Sequence, residues 1–345
     1  MDLAIFSLIE EAIRNKFGCE AEQIVPLGGG FSGTPIFKFF VKSQLWVVRG
    51  WPYSKESQNK IDNWSKVAIY LDRSVAELHP WFERSPIPCP ETWSESDSRN
   101  SLALPLGDQF WTLTKWVPGE PLQTRDVAYE FVLGYVKQLA GLHRVTREMS
   151  YSRDLSNGLI ERRELLNDLE SNLTEIAFSC SQHPLGGDLA QFVIQCNERF
   201  RIWSSAINRL ARRTCDVHWI MRDLWRENLL VDADKRWVYA VDIGASRMDW
   251  PALDFIRLVG SMLAPMSDRG VRGIWQDLFD AYNSVNPYSD LPQADDLRAI
   301  HEMSTAISIV YWYKKKIERN VDPKLRDSGI SRMRELLKTF FVSNV

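Results

Sequence analysis

Three oxygen-bearing side chains in the second half of the chain have the types and spacing that phosphoryl transfer needs. They are Asp223, Asn228 and Asp242. The surrounding run reads Val217-His-Trp-Ile-Met-Arg-Asp-Leu-Trp-Arg-Glu-Asn-Leu-Leu-Val231, then a polar turn, then Trp237-Val-Tyr-Ala-Val-Asp-Ile-Gly244. Asp242 lies nineteen residues after Asp223 and fourteen after Asn228. The pattern is strand, polar loop, short strand, turn and a second short strand ending in Asp-x-Gly. One carboxylate is then placed to accept a hydroxyl proton, while an Asn and a second carboxylate hold Mg²⁺ against nucleotide phosphates. Such a reaction asks little covalent work of the protein, only hard oxygen ligands fixed in place. Taken alone, Asp and Asn five apart equally suit a plain turn between strands, where both are turn formers.

A rigid frame has to carry these groups, and composition allows one. With 345 residues and 45% hydrophobic content, the chain can bury a large core and is expected to form two lobes. A net charge of -3 with interspersed signs argues against a nucleic-acid surface. No run of eighteen apolar residues suggests a membrane span. The first residues read as an amphipathic helix rather than a secretory leader. Five cysteines (Cys19, Cys89, Cys180, Cys196 and Cys215) form no C-x-x-C pair, so reduced, mostly buried thiols in a cytoplasmic protein are expected. The fourteen tryptophans follow no repeat and are assigned to core and cleft lining.

Along the chain, residues 3–17 have helical spacing. Leu27-Gly-Gly-Gly-Phe-Ser-Gly-Thr34 forms a glycine-rich turn leading into strands over 36–41 and 45–49. Apolar residues at Ile61, Trp64, Ala68, Leu71 and Val75 predict a helix over 55–75. Pro-rich residues 85–90 are extended, and strands follow near 100–106 and 110–117. Val117-Pro-Gly-Glu-Pro121 marks a boundary, giving lobes over 1–117 and 118–345. Helices are predicted over 125–147, 160–177, 187–213, 252–265, 272–284, 294–319 and 326–342. The site residues fall between the third and fourth of these.

These residues resemble the aminoglycoside phosphotransferase and choline kinase group of small-molecule kinases. The likeness rests on Arg222-Asp-Leu-Trp-Arg-Glu-Asn-Leu-Leu230, on Val241-Asp-Ile-Gly244 followed by Trp250-Pro-Ala-Leu-Asp254, on Ala140-Gly-Leu-His143 and on Thr114-Lys-Trp-Val-Pro-Gly-Glu120. It implies an α+β, protein-kinase-like fold with a small β-rich nucleotide lobe and a larger helical lobe for catalysis and acceptor. The implied cofactors are ATP and Mg²⁺. By the same resemblance Asp223 is the catalytic base, Asn228 and Asp242 are the metal ligands, and Asp254 braces the loop. The backbone of Gly28, Gly29, Gly30, Ser32 and Gly33 would approach the phosphates. Arg49 stands where many kinases place a phosphate-binding Lys, with an acid on the 55–75 helix, Glu56 or Asp62, as its expected partner. Lys115 and Trp116 belong to the hinge segment against the nucleotide. His143 is as well explained as a core histidine.

The chain departs from the pattern at Met221-Arg222, where His-Gly is common, at Ala245, and at Trp250 with Asp249 one place earlier. Asp254 comes twelve residues after Asp242, which leaves no room for a peptide-binding activation segment. A small hydroxyl acceptor of aminoglycoside, amino-alcohol or sugar type is expected, and the sequence does not name it. Glu161, Glu164, Asp168 and Glu170 either line its pocket or form a solvated helix face. The alternative function is a nucleotide-binding pseudokinase acting as scaffold or sensor. A dinucleotide oxidoreductase is excluded because the glycines lie between strands and do not open a helix. The sequence also leaves the oligomeric state open.

Overall fold

The computed structural model describes residues 6, 7, 9–11, 13, 14, 18–27, 35–52, 54, 55, 57, 59, 103–106, 109–116, 119–242, 245–269, 271–316 and 323–343. The glycine-rich segment with Gly28, Gly29, Gly30, Ser32 and Gly33 lies outside these, as do Glu56, Asp62, Cys89, most of the predicted 55–75 helix and the Pro-rich stretch.

The described residues divide into two units. The first comprises Met1–Pro121 and Asn228–Arg247; the second comprises Leu122–Glu227 and Met248–Val345. The hairpin bearing Asn228 and Asp242 therefore belongs with the first unit, which the order of the sequence does not reveal.

In the first unit a five-stranded antiparallel sheet has the order β1-β2-β3-β5-β4. The strands are β1 (Glu22–Leu27), β2 (Ile36–Val41), β3 (Gln44–Pro52), β4 (Ala103–Leu106) and β5 (Gln109–Lys115). Side chains alternate along β2, so Phe37, Phe39 and Val41 point into a core with Val48, Trp111, Ile9 and Ile13. The last two come from the N-terminal helical residues and cover one face. The β2–β3 turn is Lys42-Ser43 with φ of 49° and 65°, the left-handed pair that a tight hairpin demands. Register sets Arg49 opposite Ile36, the first strand residue after the glycine-rich segment, and opposite Thr112 on its other side. A second sheet runs β10-β9-β6, from β6 (Glu120–Pro121), β9 (Leu229–Val231) and β10 (Trp237–Ala240).

The second unit is helical: α1 (Tyr129–Met149), α2 (Asn157–Ser179), α3 (Gly186–Leu210), α4 (Ala252–Met262), α5 (Val271–Val285), α6 (Ala294–Lys316) and α7 (Pro323–Ser343). All seven helices predicted after the Pro-Gly boundary are there, displaced at their ends by a few residues. A small sheet in the order β11-β8-β7 accompanies them, with β7 (Ser152–Leu155), β8 (Thr214–Ile220) and β11 (Arg247–Asp249). The core holds Tyr135, Phe192, Trp203, Phe255, Trp275, Tyr282 and Phe340, each under 2% exposed or close to it. Full burial of one such side chain contributes about 1.5–3 kcal/mol. Cys180, Cys196 and Cys215 are buried and free, as expected. Burial pushes the Cys215 thiol up to about 12, so it is unreactive at neutral pH.

Two devices start α2 where it does. Ser156 accepts the Leu159 N–H as N-cap, and Asp249 accepts both Ser156 Oγ (2.6 Å) and the Gly158 N–H (2.9 Å). A Cβ on Gly158 would lie 2.4 Å from Leu253 Cδ1 and 2.9 Å from the Asp249 carboxylate, so a larger residue there would have to displace one of these side chains. Asp249, one place before the position where an acid is commonly seen, thus holds a helix start.

Candidate active site

Within the first unit, the β9–β10 hairpin decides where Asn228 and Asp242 stand. Its turn is organised by Asp232, whose Oδ1 accepts the N–H groups of Asp234 and Arg236, both at 2.9 Å. Ala240 pairs with Leu229, and one step further the Val241 N–H donates to the Asn228 carbonyl at 2.9 Å. Asn228 enters the hairpin and Asp242 leaves it, side by side at the same end. Asp242 adopts φ 57°, a left-handed conformation that Asp tolerates better than most residues. Its Oδ1 accepts Arg49 Nη1 at 2.5 Å, with the Asp242 side chain 47% exposed and that of Arg49 20%. The Arg49 guanidinium also lies 4.3 Å from the centre of the Trp51 ring. Among the described residues, then, the acid that meets Arg49 is Asp242; Glu56 and Asp62 lie outside them.

Lys115 closes β5 opposite Trp46. Trp116 follows, its N–H donating to Leu45 O at 2.8 Å and its ring, 38% exposed, lying 5.6 Å from Lys38 Nζ. The segment expected to form the hinge is therefore anchored to β3 through its backbone.

Within the second unit, Asp223 sits on a loop that leaves buried strand β8. Arg222 has φ 64°, unusual for a long side chain, and Asp254 holds it there. Asp254, in the first turn of α4 and wholly buried, accepts the Met221 N–H at 2.8 Å and the Arg222 N–H at 2.5 Å. His143 Nε2 lies 3.3 Å from the same carboxylate, and its Nδ1 meets Tyr282 Oη at 2.7 Å. His143 is thus a core histidine orienting a brace. The loop continues with Asp223 N–H to Met221 O (2.8 Å), Trp225 N–H to Asp223 O (3.0 Å) and Arg226 N–H to Ser261 Oγ (3.0 Å). Each backbone bond removes freedom from Asp223.

Arginines that sequence reasoning passed over surround this loop. Arg257 on α4 and Arg332 on α7 lie 4.3 and 4.7 Å from the centre of the Trp225 ring. Arg222 Nη2 donates to Glu161 at 2.5 Å. Burial lowers the Arg257 pKa, and the charge on Asp223 opposes that fall. Only Arg222 left a trace in the sequence, as part of the departure at Met221-Arg222. Of the four acids considered for an acceptor pocket, Glu164, Asp168 and Glu170 are exposed and form a solvated face, while Glu161 is taken by Arg222.

Residues 67–288 match the model of a phosphotransferase enzyme family, more than half of the chain. The chain belongs to this family. It is accordingly an enzyme of the small-molecule kinase class. Solved structures agree on the fold. An aminoglycoside phosphotransferase from Alicyclobacillus acidocaldarius subsp. acidocaldarius DSM 446 is similar at 15% identity and TM-score 0.59, covering 97% of this chain and 94% of that one. A spectinomycin phosphotransferase bound to ADP and spectinomycin aligns at 9% identity and TM-score 0.61, over 98% of both chains. An ethanolamine kinase from Plasmodium vivax aligns at 12% identity and TM-score 0.54, over 97% of this chain and 88% of that one. At these identities the likeness speaks for the α+β, protein-kinase-like fold. Among proteins of curated function none matches. No described helix is long and apolar enough to cross a membrane.

Proposed function

We propose that the enzyme moves the γ-phosphoryl group of ATP to a hydroxyl of a small molecule, with Asp223 as base. The observation that carries this reading is the pairing of Asn228 with Asp242 at one hairpin end, with Arg49 on the Asp242 carboxylate. An amide and a carboxylate oxygen are the hard donors that Mg²⁺ prefers. That ion keeps waters and phosphate oxygens for its other positions, so two protein ligands suffice. Among the described residues no group of three acids, histidines or cysteines forms an alternative metal cage. When bound, the ion would neutralise charge on the phosphates.

The protein's own work is orientation. The loop bonds fix the backbone at Asp223, and in this reading its carboxylate takes the proton of an acceptor hydroxyl while the oxygen bonds to the γ-phosphorus and the bond to the departing ADP oxygen breaks. Arg49 supplies a fixed positive charge for phosphate. Residues 1–117 form the nucleotide lobe in this reading. There the backbone of Gly28, Gly29, Gly30, Ser32 and Gly33 cradles phosphates, and Lys115 and Trp116 flank the base. Residues 118–345 carry catalysis and the acceptor site. The ADP complex of the spectinomycin enzyme is consistent with nucleotide use, and reduced, buried thiols suit a cytoplasmic setting.

The test is ATP turnover with Mg²⁺ over a panel of hydroxylated acceptors, with Asp223→Ala beside the wild type. Loss of the base is expected to lower kcat by about 10²–10⁴-fold. Turnover indifferent to that substitution would sink the assignment. Nucleotide binding without transfer to any acceptor would support the scaffold reading instead.

A further inference from the structure

Arg332 joins the last helix of the second unit, α7, to the loop that carries Asp223. Its guanidinium lies over the Trp225 ring, 4.7 Å from the ring centre, and its Nη1 donates to Glu227 Oε1 at 3.1 Å. Trp225 comes two positions after Asp223 and Glu227 four, so both belong to that loop. Arg257 on α4 lies over the same ring at 4.3 Å, and Glu227 also accepts Arg226 Nη2 at 3.0 Å. One indole is thus held by cations from two helices, through its π face. Glu335, three residues along α7, accepts the same Nη1 at 3.1 Å and steadies the Arg332 guanidinium from its own helix.

From Trp225 the connection to Asp223 runs through backbone. The Trp225 N–H donates to the Asp223 carbonyl at 3.0 Å, and the Asp223 N–H donates to Met221 O at 2.8 Å. The next N–H, that of Arg226, is taken by Ser261 Oγ at 3.0 Å, and this hydroxyl donates to Leu258 O at 2.9 Å. Asp254 therefore fixes the chain before Asp223, while the contacts of Trp225 and Glu227 act on the chain after it.

Docking of α7 does not depend on Arg332. Met333, Leu336, Leu337 and Phe340 are buried, the Phe340 ring meets those of Phe192 and Trp203 at 5.0 and 6.1 Å, and Arg298 Nη2 donates to Ser343 O at 2.8 Å. The Arg332–Glu227 pair is partly open to water and adds little to the fold. Its effect falls on the loop. Helix α7 also lies beyond residues 67–288, which match the family model, so this contact comes from chain outside that match.

We propose, resting on the kinase reading, that Arg332 is a positioning residue for the transfer. From α7 it holds Trp225 and Glu227, and through them it keeps the Asp223 backbone in the orientation the reaction needs.

Two measurements test this. The first is ADP formation from ATP and Mg²⁺ with kanamycin, ethanolamine, glucose or water as acceptor. Arg332→Gln is expected to lower kcat about 10- to 100-fold with the KM for ATP moved less than about twofold. Arg332→Lys, which keeps a cation for the ring but not the fork, should recover part of the loss. In an Asp223→Ala background the same Arg332→Gln change is expected to cost less than about twofold, because the group it positions is gone. A merely structural arginine would lower the active fraction alike in both backgrounds. The second measurement, amide hydrogen exchange, needs no turnover: Arg332→Gln is expected to speed exchange at Trp225 and Arg226 about tenfold or more while α6 stays protected. Circular dichroism shows whether each variant is folded; where Arg332→Gln is not, Glu227→Gln removes the pair from the loop side and is expected to act in the same direction. Equal losses of kcat in the two backgrounds, a change confined to KM, or unaltered exchange at Trp225 and Arg226 would overturn the proposal. If wild-type protein forms no ADP with any of the four, the kinase reading fails, and the exchange rates still decide whether Arg332 orders the loop.

Discussion

Asp254 and Asp242 are the same residue type, one in each unit, and their surroundings are opposite in kind. Asp254 is wholly buried and accepts two backbone N–H groups, with His143 against it. Asp242 keeps 47% of its side chain exposed and meets a guanidinium. A carboxylate in a dry site with fixed donors cannot exchange partners without a large penalty, so it serves as a brace. A half-exposed carboxylate in a single charged pair gives up that pair at little cost, as a ligand that must accept a cation needs to.

The largest effect that tests this contrast is on stability. Asp254→Ala leaves two loop N–H groups and His143 without their acceptor. It is expected to destabilise the protein by about 3–5 kcal/mol, read as a lower urea midpoint. Asp242→Ala is expected to cost less than about 1 kcal/mol while abolishing transfer. If the two substitutions unfold the chain equally, the division into brace and working ligand is wrong.

The same contrast bears on what was legible in the sequence. Asp223, Asn228 and Asp242 lie near one another along the chain, and their setting in short strands is carried by local apolar runs and an Asp-led turn. The helices were legible for the same reason, since their apolar stripes are local. Strand β7 was not: all four of its residues are exposed, so it has no alternation to read. That Arg49 meets Asp242 was not legible either, because the two stand 193 positions apart and only tertiary packing brings them together. Asp249 looked like a displaced motif residue, and its engagement by Ser156 and Gly158 needed coordinates to be seen.

A smaller effect concerns pH. His218 and His301 are buried, and burial first, then neighbouring positive charge, pushes both down to about 3. Each is therefore neutral when folded, while in the unfolded chain each binds a proton below about pH 6.5. The unfolded state then carries more protons, so stability is complete above that pH and falls as pH drops toward 3. Each group contributes up to about 1.4 kcal/mol per pH unit. Urea denaturation between pH 7 and 5, above most carboxylate titration, is expected to show this slope, and His218→Gln is expected to remove about half of it. A flat profile over that interval would place these rings in contact with water. Buried acids such as Asp254 would then lose their claim to a dry setting, since His143, which lies against Asp254, meets the His218 ring edge-on at 5.4 Å.

The smallest effect is the most direct on the working side of the comparison. The Arg49–Asp242 pair is partly exposed and reaches across one hairpin end, so it is worth roughly 0–1 kcal/mol to the fold. Arg49→Met is expected to shift the urea midpoint by no more than that while raising the KM for ATP about tenfold, because one fixed charge for phosphate is lost. Arg49→Lys keeps the charge but not the planar fork, and an intermediate KM is expected. If Arg49→Met instead destabilised the protein by several kcal/mol with KM unchanged, Arg49 would be a brace for Asp242. The first unit would then hold its acid as firmly as the second holds Asp254.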